Sequence, residues 1–116
     1  MAAQMGLSNT TATIAATASL SPQVDIGPGR LVGLLVPSGW TAANITFQAS
    51  PDGGVTWGNL FTSLGAEVTV VAVAGQFNAI DPTYLQGVVS LKVRSGTSGS
   101  PVAQTAAVAV TLVTKL

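Results

Sequence analysis

The stretch NITFQASPDGGVTWGNLF, residues 44–61, decides the fold. Ile45, Phe47 and Ala49 fall on one side of an extended chain, and Thr46, Gln48 and Ser50 fall on the other. That alternation is the mark of a strand with one face toward a core. Pro51 then presets a turn φ, Asp52 can bond the backbone two residues on, and Gly53 and Gly54 accept positive φ where the chain reverses. VTWGNLF, residues 55–61, resumes an extended run. The whole stretch therefore predicts a β-hairpin. Pro51, Asp52, Gly53 and Gly54 build its turn, and the Trp57 ring can fold back over it.

Outward from this hairpin the chain keeps the same grammar. Val, Thr and Ile are frequent, and their branched β-carbons suit a pleated surface. Turn signals recur about every ten residues, the spacing of sandwiches and barrels. TATIAATAS (11–19) reads as a first strand or an extended arm, and QVDI (23–26) as a short extended piece closed by Gly27-Pro28-Gly29. RLVGLLV (30–36) is nearly continuous apolar, as expected of a strand buried on both faces. AEVTVVAV (66–73) and GQFNAI (75–80) predict two more strands. In DPTYLQG (81–87), Asp81 can cap a helical turn, Pro82 fits its first position and Gly87 can end it. VVSLKVRS (88–95) alternates, placing Val89, Leu91 and Val93 inward and Lys92 and Arg94 outward. SGTSGSP (95–101) reads as a flexible loop, and TAAVAVTLVTKL ends in a long strand. The expected architecture is all-β: an antiparallel β-sandwich, jelly-roll or immunoglobulin-like, of about eight strands. Residues 1–22 form an N-terminal arm or first strand, and 23–116 the sandwich.

Composition narrows the function. Only 7% of the 116 residues are charged, against roughly 25% in an average soluble protein, and the formal net charge is zero. Ala, Val, Thr, Gly and Ser make up roughly three-fifths of the chain, so its surface is built from hydroxyls, small residues and backbone. Such a surface lacks the charge that keeps diffusing monomers apart, and implies that part of it is covered in use. Four basic residues cannot form a phosphate-neutralising stripe, which argues against nucleic acid as a partner. The apolar runs are too short to span a bilayer, and the N-terminal stretch has neither the basic flank nor the apolar core of a secretory signal.

Catalytic equipment is sparse. The chain has no His and no Cys, so the commonest general base, thiolate chemistry and disulfides are all absent. The four carboxylates are Asp25, Asp52, Glu67 and Asp81. Asp52 is explained by a turn and Asp81 by a cap, and nothing in the sequence brings Asp25 and Glu67 together as a glycosidase pair. No phosphate-binding loop, dinucleotide fingerprint or metal-ligand spacing occurs, and a carboxylate calcium site would need a denser Asp/Asn cluster. The expectation is a protein that is not an enzyme and takes neither cofactor nor metal. Trp40, Trp57 and Tyr84 remain as flat faces for a sugar or a protein partner, each with a competing role in packing at a sheet edge or over a turn.

Two resemblances attach to these residues. SPDGGVTW (50–57) resembles the Asp-box, Ser-x-Asp-x-Gly-x-Thr-Trp, matching at Ser50, Asp52, Gly54, Thr56 and Trp57. The Asp-box repeats in sialidase-type propellers as a structural hairpin, usually away from the active site. Here it occurs once, in a chain too short for a propeller, so the resemblance implies a turn. The segments SGWTAANITFQASPDGGVTWGNLF and IDPTYLQGVVSLKVRSGTSGSPVAQ, spanning about residues 38–104, are similar to small virion-associated proteins of tailed bacteriophages. That resemblance implies a structural virion protein assembled in the host cytoplasm, of the capsid decoration or cement type. Its implied partner is a major capsid protein or another virion protein, with self-association, commonly as a trimer. Residues 1–22, uncharged and rich in Ala and Thr, are the segment expected to reach partners by adding a strand to an exposed sheet edge. The alternative is a glycan-binding tail or head-fibre component using Trp40 or Tyr84.

Overall fold

The computed structural model describes residues 6–116. The first five residues of the expected 1–22 segment therefore lie outside the described residues. Eight strands form two four-stranded antiparallel sheets packed face to face: β1 (Leu7–Ile14), β2 (Val24–Asp25), β3 (Arg30–Leu35), β4 (Ile45–Ser50), β5 (Gly58–Asn59), β6 (Phe77–Ala79), β7 (Ser90–Ser95) and β8 (Val108–Lys115). The first sheet runs in the order β1-β8-β3-β6 and the second in the order β2-β7-β4-β5. The all-β sandwich expected from the alternating segments is the observed fold.

Period-two burial makes the core. In β8, Val108, Val110, Leu112 and Thr114 point inward while the residues between them face out. β1 lies along it without a register break, from Leu7 opposite Lys115 to Ile14 opposite Val108, and contributes Ala12 and Ile14 to the interior. The second sheet answers with Ile45 and Phe47 from β4 and Leu91 and Val93 from β7. Each of these large side chains is fully buried, the arrangement that lets two alternating sheets interdigitate.

β3 departs from the expected strand buried on both faces. Its register against β8 shifts between Leu31 and Gly33, a bulge that inserts one residue. Leu31 and Leu34 consequently both point inward, followed by Val36, while Leu35 stands exposed. The near-continuous apolar run is the sequence of a phase shift, not of two covered faces.

Four other segments differ from expectation for local reasons. The run at 66–73, expected as a strand, does alternate, with Val68, Val70 and Ala72 inward, but it forms only isolated bridges, Glu67 to Phe61 and Val70 to Ile45. Anchored to two different elements, it has no single partner for a ladder. The strand expected over 55–61 shrinks to Gly58–Asn59, because Val55 and Thr56 are used up in the turn. The helical turn at 82–84 is a 3₁₀ turn capped by Asp81, whose carboxylate accepts from the Thr83 N–H, and it ends at Leu85, not at Gly87. The 95–101 segment is a closed hairpin: Thr97 and Ser100 exchange backbone bonds, and the Val102 N–H reaches the Ser95 carbonyl.

Candidate interaction surface

The Asp-box turn is closed mostly from within, and the Gln23 amide adds one bond from outside, to the Gly53 carbonyl at 3.2 Å. Ser50 Oγ donates to Asp52 Oδ1 at 2.8 Å and accepts from the Gly54 N–H at 2.8 Å. Asp52 Oδ1 also accepts from the backbone N–H groups of Val55 (3.1 Å) and Thr56 (2.8 Å). These donors, the Thr56 amide foremost, hold the Asp52 carboxyl down at about 2. Gly53 and Gly54 take positive φ, and the Trp57 indole N–H closes the loop on the Gly54 carbonyl at 3.0 Å. Lys92, on the adjacent strand, places its ammonium 4.5 Å from the Trp57 ring centroid. Ser50, Asp52, Gly54, Thr56 and Trp57 thus form one closed unit at the edge of the second sheet.

The remaining carboxylates sit far apart in role. Asp25 accepts from the Gln23 amide at 2.9 Å and the Ser90 hydroxyl at 2.8 Å, bonds that lower its pKa in that order of weight. Glu67 meets Arg94 at 3.4 Å and accepts from the Ser98 N–H. Ser90 and Arg94 lie four residues apart on β7, which is about 13 Å along a strand, so Asp25 and Glu67 do not converge.

Arg94 corrects the expected outward placement. It does point away from the Leu91–Val93 face, and its β4 neighbour in register is Thr46. But that end of the sheet is roofed over by Asn59, Glu67 and the 95–101 hairpin, so the guanidinium is buried. It donates to Thr46 Oγ1 (3.3 Å), Glu67 Oε2 (3.4 Å) and Asn59 Oδ1 (2.5 Å). Thr46 and Ser50, also expected outward, are buried under the same roof and under the turn. Val89, expected inward, is exposed because the regular strand begins at Ser90 and its phase does not extend past that end.

Of the two aromatics singled out for contact, Trp40 is 7% exposed and its indole N–H is bonded to the Ala43 carbonyl, so its face belongs to the core. Tyr84 is 50% exposed. It borders a cleft of about 250 Å³ that it shares with Asp81, Asn78 and Thr69. The structure does not bring Trp40 and Tyr84 together as a paired platform.

A further candidate surface is the outer face of the first sheet, which the sequence did not single out. Asn9, Thr11 and Thr13 of β1 lie beside Val113, Thr111 and Ala109 of β8, followed by Leu35 of β3 and Phe77 and Ala79 of β6. None of these residues is charged, and the cations Arg30 and Lys115 pair at one end. Phe77, 59% exposed, is held in place: its ring fills the space above Gly33, where an added Cβ would fall 2.6 Å from Cζ. Leu35 lies opposite Phe77 across the strand pair, and Val71 and Val73 are exposed in the segment leading to β6. The signal available in the sequence was the pairing of Gly33 with an aromatic, legible only once β3 and β6 are known to be neighbours.

No known protein family and no curated protein matches the sequence. A solved structure shares the fold. It is the crystal structure of the SPBc2 prophage-derived protein YomS, which superimposes with a TM-score of 0.50 at 14% identity, covering 93% of each chain. At that identity the likeness is one of fold. Among the described residues no helix is long and apolar enough to cross a membrane.

Proposed function

We propose that this chain is a structural virion protein of a tailed phage, a decoration or cement protein that binds across the seams between major-capsid-protein subunits. The observation that carries the proposal is the outer face of the first sheet, uncharged between Asn9 and Phe77, with Leu35 and Phe77 exposed at its β6 side. Exposed apolar side chains in contiguous patches mark interaction sites, and depletion of charge marks the centre of an interface. The fold shared with a prophage-derived protein and the phage-like segments 38–104 support the same setting. The protein's place is then the virion, and its action is to add buried area where capsid subunits meet. The test is co-sedimentation of the purified chain with phage heads stripped of it. Leu35→Asp with Phe77→Asp should abolish binding while leaving the far-ultraviolet spectrum unchanged. Heads that fail to retain the wild-type chain, or that retain the variant equally, would overturn the assignment.

A glycan-binding role in a tail or head fibre has one observation in its favour, the Tyr84 cleft with Asp81, Asn78 and Thr69 around it. Trp40, being buried, no longer supports it. On that reading Tyr84→Ala lowers retention on host polysaccharide and leaves head binding untouched.

A further inference from the structure

Edge strands expose a row of unpaired backbone groups, and proteins guard them with short length, charge, proline or bulges. Three of the four edges here are guarded by length: β2 and β5 have two residues each and β6 has three. β1 is different. It runs eight residues, LSNTTATI, with no charge, no proline and no break in register. Its inner side is taken by β8. Among the described residues no backbone hydrogen bond reaches it from any other segment.

The free groups can be assigned. The Leu116 N–H donates to the Gly6 carbonyl, so that pair is a hydrogen-bonded one. In an antiparallel ladder such pairs alternate. Ser8, Thr10, Ala12 and Ile14 therefore bond to β8, whereas Leu7, Asn9, Thr11 and Thr13 aim their N–H and C=O groups at the open edge. The side chains of those four residues are exposed.

We propose that this edge pairs with β1 of a second copy of the chain, antiparallel and about a two-fold axis at Thr10. Asn9 then lies opposite Thr11 of the second copy, and Leu7 opposite Thr13. About eight backbone hydrogen bonds form, joining the two first sheets into one of eight strands. The second copy is favoured as occupant because β1 is self-complementary. A two-fold axis makes the strand face itself, an arrangement that a charged strand resists and a neutral one does not. The small hydroxyl and amide side chains that meet also suit cross-strand hydrogen bonding. A two-fold pairing replaces the trimer that the phage resemblance implies, and it does not depend on what the outer face binds.

The test uses the full-length chain at concentrations from about 1 μM to about 1 mM, the range in which weak to moderate interfaces assemble. Sedimentation should show growth toward twice 11.5 kDa. Amide exchange at Asn9, Thr11 and Thr13 should slow with concentration, while Thr10 and Ala12, bonded to β8, stay protected throughout. Thr11→Pro, which removes an edge N–H and no β8 bond, should hold the chain as a monomer. Asn9→Lys with Thr11→Lys should do the same by charge, should the proline strain the strand. A wild-type monomer at every concentration overturns the proposal, as does a trimer. A dimer that survives the lysine pair, or whose Thr11 amide exchanges freely, places the interface elsewhere and also overturns it.

Discussion

Arg94 offers the sharpest test of how this fold is held. Arg94→Met keeps most of the side-chain volume but removes donors to Thr46, Glu67 and Asn59. Thr46 loses little, since its hydroxyl still donates to the Gly96 carbonyl at 2.7 Å. Glu67, at 13% exposure, loses its ion pair and keeps one donor, the Ser98 N–H. Breaking one side of a buried pair costs about 3–5 kcal/mol, and the retained donor puts this case near 3. For a chain of this size that is a fall in Tm of about 12 °C. Glu67→Gln preserves the bond from Ser98 and leaves the guanidinium with Thr46 and Asn59, costing about 2 kcal/mol. The double variant removes both charges together and should cost about 2 kcal/mol, not the sum of about 5, because neither is left stranded. Urea unfolding followed by tryptophan fluorescence measures all three, with unchanged slope as the check that only stability moved. A double variant that equals the sum of the singles within about 0.5 kcal/mol would refute the reasoning, as would an Arg94→Met loss under about 1 kcal/mol.

Three further outcomes follow from named contacts. Asp52 is held at about 2 against an ordinary 3.8, so its contribution is complete above pH 4 and lost as pH falls through 2; Asp52→Asn should flatten the acid limb of a stability–pH curve over that window, with Asp25 and Asp81, also lowered, supplying what remains. Gly96 has φ +91 and an added Cβ would fall 2.5 Å from the Ser100 carbonyl oxygen and 2.7 Å from the Val102 nitrogen, so Gly96→Ala should destabilise by more than about 1 kcal/mol in urea titration. Phe47, fully buried, should lose about 3–5 kcal/mol on change to Ala by the same assay, whereas exposed Val55→Ala should change stability by under about 0.5.

How much of this was legible depends on whether a residue's fate is set by its neighbours in sequence or by those brought from afar. The bonds that Ser50, Asp52, Gly54, Thr56 and Trp57 make with one another were legible, because they lie within seven residues of Ser50, whereas the bond from the Gln23 amide to the Gly53 carbonyl comes from 30 residues away and was not. The long C-terminal strand and the cap at Asp81 were legible too. Arg94 was not, since alternation assigns a side of a sheet and says nothing of what covers that side. The roof over Arg94 comes from Asn59 and Glu67, 35 and 27 residues away. The bulge in β3 was hidden for a related reason. Leu31, Leu34 and Val36 read as a continuous run until the register against β8 shows the added residue.

The same distinction explains where the chain keeps its few charges. Arg94 and Glu67 are spent together inside, Asp52 and Asp81 hold turns, Asp25 ties β2 to Ser90, and Lys92 lies over Trp57. Arg30 and Lys115 pair in register at one end of the first sheet. Charge here serves structure, and none stands on the Thr/Ala/Val face between Asn9 and Phe77. A surface that must stay solvated would place its charges there, where they guard against association. The distribution supports both proposals, that the first sheet is covered along its face by a larger particle and along its β1 edge by a second copy.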